Sequence, residues 1–258
     1  MAKKKINYDF SGKTVLITGA GGFLGRALVK AFGEASAQVI LAVRKINTSV
    51  TCFTETLSCD YKLLEVDLSN EDQIKKLFIS IGNYSDKLDI LVNNAALQPT
   101  LSLQEIDGQK WDEMMTVNLK APHLCTSQLV KTRLENNINS NAVIVNIASI
   151  EADSPASMHS HYDASKGGLL QYSRAAALEL GPLGIRVNVV SPGLIYREGL
   201  EKDWVDGVNR YKSASPLRQL VKTEEVSQAV LFLSSDGASG ITGINMRVDA
   251  GVGTTSGY

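Results

Sequence analysis

The sequence predicts an α/β fold, a doubly wound parallel sheet of about seven strands with helices on both faces. Short β-branched runs alternate with longer stretches of helical period, and that order implies parallel strands joined by crossover helices. The strand runs are also nearly all apolar rather than alternating, as strands covered on both faces should be. No internal repeat, low-complexity tract or linker divides the 258 residues, so a single domain is expected.

Taken in order, residues 1–10 read as an N-terminal extension, and Thr14–Thr18 as the first strand. A helix over 22–36 follows, then a strand over Gln38–Val43 and another over 63–67. The periodicity predicts a helix over 71–81, a strand over Ile90–Asn93 and one long helix over 110–134. A strand over 143–148, a helix over 161–180 and a strand over 185–190 come next. Residues 194–220 are the least regular stretch, and such a late segment falls at the strand C-termini, where ligands bind. They are the candidate substrate lid. A helix over Thr223–Ser234 and a seventh strand ending at Val248 complete the pattern.

Composition excludes several functional classes. Hydrophobic residues make up 44% and charged residues 21%, with a formal net charge of −1. That balance gives no global attraction to nucleic acid or an anionic membrane. Lys3-Lys4-Lys5 reads as a solvated end, because nothing basic continues it. No apolar run reaches the roughly 20 residues of a membrane span, and the N-terminus lacks the apolar core of a signal peptide. Cys52, Cys59 and Cys125 form no CxxC pair and no metal-ligand set, so no metal is expected and a reducing, cytoplasmic setting is.

The first strand runs straight into Thr18-Gly19-Ala20-Gly21-Gly22-Phe23-Leu24-Gly25 and then a helix. Gly19 suits a tight turn, Gly22 a close backbone approach and Gly25 helix–strand packing. The free N–H groups and positive dipole end of that helix suit a pyrophosphate, which points to a dinucleotide. The end of the second strand discriminates between dinucleotides. An acid there would accept bonds from the ribose hydroxyls of NAD(H). Here the strand ends Val43-Arg44-Lys45, and a guanidinium can pair with a 2′-phosphate that an acid would repel. The residues favour NADP(H) over NAD(H), against the plainer reading of a solvated Arg–Lys pair. Asp67 is placed to bond an adenine amino group, and Asn94 and Ala95 to meet the adenosine side.

Tyr162 and Lys166 lie four apart at the start of a predicted helix, hence on one face. A phenol titrates near 10, and a nearby ammonium favours its ionised form. Tyr162 would then serve as general acid for a carbonyl or base for an alcohol. Ser149, at the end of the fifth strand, could polarise the substrate oxygen, although a turn or N-cap serine is the plainer reading. Pro122 has no N–H to give the carbonyl of Asn118, which leaves that oxygen free to hold a water or simply kinks the helix.

With these residues in place the sequence resembles the short-chain dehydrogenase/reductases, in their short single-domain branch, over nearly its whole length. The matching pieces are the Gly19–Gly25 turn, Asp67-Leu68, Asn93-Asn94-Ala95-Ala96, Val117-Asn118, Ser149, Tyr162 with Lys166, and Ser191-Pro192-Gly193. Ile241-Thr242-Gly243 and Val248-Asp249-Ala250-Gly251 fit as well. The resemblance implies a catalytic set of Asn118, Ser149, Tyr162 and Lys166, with Lys166 also gripping the nicotinamide ribose. It implies cofactor contacts at Gly19, Gly22, Phe23, Leu24, Leu68, Pro192, Gly193 and Ile195. A small carbonyl or alcohol substrate is implied, the generic likeness being to 3-oxoacyl thioester reductases with sugar reductases open. Assembly as a homodimer or homotetramer is implied too, for which Leu169, Leu170, Tyr172, Ala176 and Leu180 would supply a pairing face.

Three departures stand out: Phe23 where short members carry glycine, Ala96 after Asn-Asn-Ala, and Arg197 in place of a threonine that contacts the nicotinamide carboxamide. The glycine spacing also admits a sugar-nucleotide epimerase or dehydratase. Those relatives carry more C-terminal sequence, whereas here the sequence stops within ten residues of the seventh strand. An NAD(H)-dependent alcohol or sugar dehydrogenase and a non-catalytic nucleotide sensor are the other readings. The sensor is disfavoured by the presence of both Tyr162 and Lys166. His159, His161, Arg197 and Arg210 fall near the predicted pocket wall, the two histidines reading as surface residues at a helix start.

Overall fold

The computed structural model describes residues 7–254. Seven parallel strands form one sheet in the order β3-β2-β1-β4-β5-β6-β7. They are β1 (Thr14–Thr18), β2 (Gln38–Val43), β3 (Tyr61–Glu65), β4 (Ile90–Asn93), β5 (Ala142–Ile147), β6 (Ile185–Pro192) and β7 (Asn245–Val248). The strand order reverses between β1 and β4, and an α/β sheet opens its ligand crevice at such a point.

Alternate residues of each strand feed two separate cores. Val15 and Ile17 of β1 pack with Leu28, Val29 and Phe32 of α1 (Phe23–Glu34) and with Val226 and Val230 of α9 (Thr223–Ser234). Leu16 faces the other way, towards Ile74 and Leu77 of α3 (Glu71–Gly82) and Cys125 and Leu129 of α5 (Ala121–Glu135). Both faces are thus covered, which explains the continuous apolar strands. Tyr172, Ala176 and Leu180 of α6 (Ser160–Leu180) also pack into this second core, and Leu170 into a smaller one. That overturns the expectation that they form a pairing face: they cover the molecule's own sheet, and Leu178 is the exposed leucine of that helix.

Several elements differ from the sequence reading, most of them by a residue or two at an end. The third strand lies over Tyr61–Glu65 rather than 63–67, because it pairs with β2 from Val39↔Tyr61 to Val43↔Glu65. It is an edge strand, where Lys62 and Glu65 can stay in solvent. Asp67 therefore sits in the turn after the strand. The long helix expected over 110–134 is broken into α4 (Gly108–Met115), a π turn (Thr116–Lys120) and α5. The Ala121 N–H reaches back to the Thr116 carbonyl, next to the donorless Pro122. α2 (Thr48–Thr54), capped by Asn47, was not expected from its β-branched sequence. The irregular 194–220 segment contains α7 (Leu200–Asp203) and α8 (Val205–Ala214). Of the expected extension, Phe10 is buried against Phe32, with ring centroids 5.2 Å apart. Lys3-Lys4-Lys5 lies outside the described residues.

Candidate active site

An open cleft of about 1750 Å³ lies across the C-terminal ends of the strands. Its walls include Gly19, Gly22, Phe23, Leu24, Arg44, Asp67, Leu68, Asn94 and Ala95 at one end, and Ser149, Tyr162, Lys166, Pro192, Gly193 and Ile195 at the other.

The glycine turn is held by backbone packing. Gly19 has φ +64°, and a Cβ on it would lie 2.8 Å from the Ala95 Cα. A Cβ on Gly25 would lie 2.2 Å from the Gly19 carbonyl oxygen, so α1 can start this close to β1 only without a side chain there. The Asn94 side-chain amide donates to the carbonyls of Thr18 (3.0 Å) and Gly19 (3.2 Å), while the Asn94 and Ala95 N–H groups share the Thr18 hydroxyl. Asn94 thus builds the turn as well as lining it. This surface of α1 backbone and missing side chains fits a dinucleotide pyrophosphate.

Arg44 and Lys45 are exposed on the cleft wall. Arg26 joins them: its Nε donates to the Gly21 carbonyl at 2.9 Å and its Nη2 to the Ser49 hydroxyl at 2.7 Å. The sequence reading missed Arg26 and Ser49, because the helix that brings Ser49 up was hidden. Ser69 donates twice to one oxygen of Asp67 and holds that carboxyl below its usual range, the charge of Arg44 adding to the effect.

Ser149 and Tyr162 meet at the other end. The Ser149 hydroxyl oxygen caps the short turn Ile150–Ala152, accepting from the Glu151 N–H at 3.1 Å. The turn serine and the cleft serine are therefore one residue serving both readings. Burial pushes the Tyr162 phenol well up, Glu151 and Asp163 add to the rise, and a hydrogen bond with Ser149 opposes it. Lys166 is fully enclosed; its Nζ donates to the Ile147 carbonyl at 2.8 Å and lies 5.6 Å from the Tyr162 ring centre. Burial lowers its ammonium to about 8. The expected lowering of the phenol by Lys166 is not seen in this arrangement, since desolvation dominates both groups.

Asn118 is not on the cleft wall. Its side chain is buried, accepting from the Leu97 N–H (2.7 Å) and donating to the Leu97 carbonyl (2.8 Å) and the Ser165 hydroxyl (3.1 Å). It ties the loop after β4 to α6. Gly193 lies under α8: a Cβ there would meet the Tyr211 hydroxyl at 1.9 Å. Ile195 bridges to Val221. Arg197 lines the cleft but is paired with Asp203 at 2.9 Å, an exposed contact within the 194–220 segment. The histidines differ from expectation. His161 is wholly buried, and His159 lines the cleft beside Tyr162, its Nδ1 2.9 Å from Glu151. Glu151, His159 and Asp163 offer ligand atoms within 4.8 Å of one another, a trio whose sequence spacing carries no signal because a loop folds Glu151 back onto the helix.

Comparison with known proteins gives consistent relatives. The family described as Enoyl-(Acyl carrier protein) reductase matches residues 19–253. L-xylulose reductase of Caenorhabditis elegans is 33% identical over 250 residues, covering 95% of this chain and 97% of its own. The 3-oxoacyl-(acyl-carrier-protein) reductase of Thermotoga maritima is 32% identical over 243 residues, covering 93% of this chain and 98% of its own. A solved structure from Brucella melitensis, described as a short-chain dehydrogenase/reductase and a glucose/ribitol dehydrogenase, matches with a TM-score of 0.86 at 26% identity. That match covers 96% of this chain and 99% of that one.

Proposed function

From the premise that the chain belongs to the short-chain dehydrogenase/reductases, we propose that it uses NADP(H) to interconvert a small carbonyl compound and its secondary alcohol, with Tyr162 as general acid or base. The supporting observation is the convergence of Ser149, Tyr162 and Lys166 on the cleft that also holds the glycine turn and Arg44. The bound nicotinamide supplies or takes up the hydride. Glycine-turn N–H groups bind the pyrophosphate, Arg44 the 2′-phosphate, Asp67 the adenine, and Pro192, Gly193 and Ile195 flank the nicotinamide. The Tyr162 hydroxyl hands its proton to the substrate oxygen, which Ser149 holds. Lys166 grips the nicotinamide ribose, and its ammonium would join the positive charge of the oxidised nicotinamide in favouring the ionised phenol against the burial that raises it. The Asn118 side chain is fully engaged, so a relay through Asn118 uses its carbonyl and a water beside Pro122.

Among the described residues no helix is long and apolar enough to cross a membrane. Free cysteines at 52, 59 and 125 support a reducing cytoplasm as the setting. Assembly as a homodimer or homotetramer rests on the family likeness, and a monomer at micromolar concentration by light scattering would remove it. The reaction itself is tested with a panel of ketones and alcohols, followed at the reduced-nicotinamide absorbance with each cofactor. Oxidation of NADPH by a carbonyl substrate is expected; tight cofactor binding without any turnover would leave only a sensor.

A further inference from the structure

Beside Tyr162 runs a hydrogen-bonded row of side chains that the proposed chemistry does not use. Thr100 Oγ1 and His159 Nε2 are 3.1 Å apart, and His159 Nδ1 and Glu151 Oε2 are 2.9 Å apart. The carboxylates of Glu151 and Asp163 lie close by, with oxygens within 4.8 Å of each other and of a His159 ring nitrogen, and Asp163 Oδ2 accepts from the Ala156 N–H at 3.1 Å. Thr100, Glu151 and His159 line the same cleft as Tyr162, and the His159 ring centre is 5.5 Å from that of Tyr162.

The two ends of the row differ. Its inner end is fixed, since Glu151 follows Ser149 within one tight turn and Asp163 belongs to the first turn of α6. Burial and the neighbouring Asp163 raise the Glu151 carboxyl, while His159 opposes the rise. With Nδ1 committed to Glu151, the ring orientation is set, and Nε2 is the atom that faces outward. Its partner there, Thr100, is exposed and can be exchanged for a ligand hydroxyl. A row of oxygen, nitrogen and oxygen atoms beside the reacting phenol suits a substrate with hydroxyls next to its reacting carbon. A plain hydrocarbon chain would strip these groups of partners and offer none in return.

We propose that Glu151, His159 and Thr100 read hydroxyl groups on the carbons adjoining the reacting one, so that the substrate is a polyhydroxylated carbonyl compound or its alcohol, of sugar or polyol type. This assignment rests on the proposed reaction at Tyr162. Glu151 and Asp163 act as positioning residues for His159, which with Thr100 and the outer edge of Glu151 meets the substrate hydroxyls.

The test compares a ketopentose with pentan-2-one, a ketone of equal length without the neighbouring hydroxyls, in the full-length protein with NADPH. His159→Phe keeps a ring but removes both nitrogens; His159→Gln restores an amide near the Nε2 position. The preference for the ketopentose, taken as the ratio of the two kcat/KM values, is expected to fall about tenfold or more in His159→Phe. The loss should sit mainly in KM and be partly recovered in His159→Gln. NADPH affinity and the thermal midpoint, measured on each variant, show that the fold is kept. An equal loss on both substrates, or none on either, overturns the assignment. Turnover of pentan-2-one but not of the ketopentose by the unmodified protein overturns it while leaving the reaction standing. No turnover of any carbonyl overturns the reaction and this assignment together.

Discussion

At the β1 end of the cleft the ligand-facing surface is largely backbone: a glycine turn, a helix start, and N–H groups anchored by Thr18 and Asn94. At the β5 end it is side chains, with Ser149, Tyr162 and Lys166 each held by a neighbour or by burial. A backbone-built surface spreads its work over many groups and tolerates the loss of one side chain. A side-chain-built site concentrates it, and one atom can carry the chemistry. The difference teaches where substitutions should be severe and where mild.

The severest is expected at the side-chain end. Tyr162→Phe keeps the buried ring and removes the hydroxyl. Turnover should drop by about 10²-fold or more, with NADPH affinity nearly intact. Near-normal turnover in a folded variant would break the comparison, since no single atom would then carry the proton. Next comes a change that adds a repulsion at the backbone end. Val43→Asp combined with Arg44→Ala should reverse the choice between NADPH and NADH by roughly ten- to a hundredfold in dissociation constant. The new acid repels the 2′-phosphate and accepts from the ribose hydroxyls of NADH. An unchanged preference would mean that the β2 end does not select the cofactor.

Lys166 sharpens the comparison through pH. Burial lowers its folded pKa from 10.5 to about 8. Between those values the unfolded chain holds a proton that the folded one has lost, so this group makes stability rise with pH across that window. Below pH 8 both states are charged, and the full cost of enclosing the ammonium remains. Lys166→Met removes that cost. Its thermal midpoint should exceed that of the unmodified protein by roughly a few °C at pH 7, and the gap should close as pH approaches 10. Tyr162 is present in both proteins, so its own titration cancels. A gap that does not change with pH would mean that the buried ammonium is not what separates the two.

Much of this was legible in the sequence, for physical reasons that differ between the two ends. The glycine turn is readable because Gly19 needs a positive φ and Gly25 has no room for a Cβ, demands that only glycine meets. The strands are readable because both faces are covered. Edge strand β3 was placed two residues late, since its register is set by β2 and not by its own apolar residues. The proposed pairing face on α6 was misread because an apolar helix stripe looks alike against a sheet or another subunit. Helix α2 was missed for its β-branched residues, and with it the approach of Ser49 to Arg26. The Glu151–His159 contact joins residues eight apart across a loop, a closure that no periodicity encodes.

The mildest expected effect is the single change Arg44→Ala, and it probes the backbone-built end most directly. Arg44 is exposed, and exposed charge pairs in water contribute little, typically under about 1 kcal/mol. Lys45 stands beside it, and Arg26 lies on the same wall, anchored to Gly21 and Ser49. Either can take up part of the attraction to a 2′-phosphate, while the pyrophosphate contacts made by the turn are unaffected. NADPH should therefore bind about two- to fivefold more weakly, with NADH binding unchanged, as read from dissociation constants by fluorescence titration. The loss should also shrink as salt is raised, because the remaining attraction between exposed charges is screened. Equal weakening of both cofactors would show that Arg44 supports the turn rather than the phosphate. A loss as large as that of the double variant would show that one side chain carries the selection, and the two ends of the cleft would then be built alike.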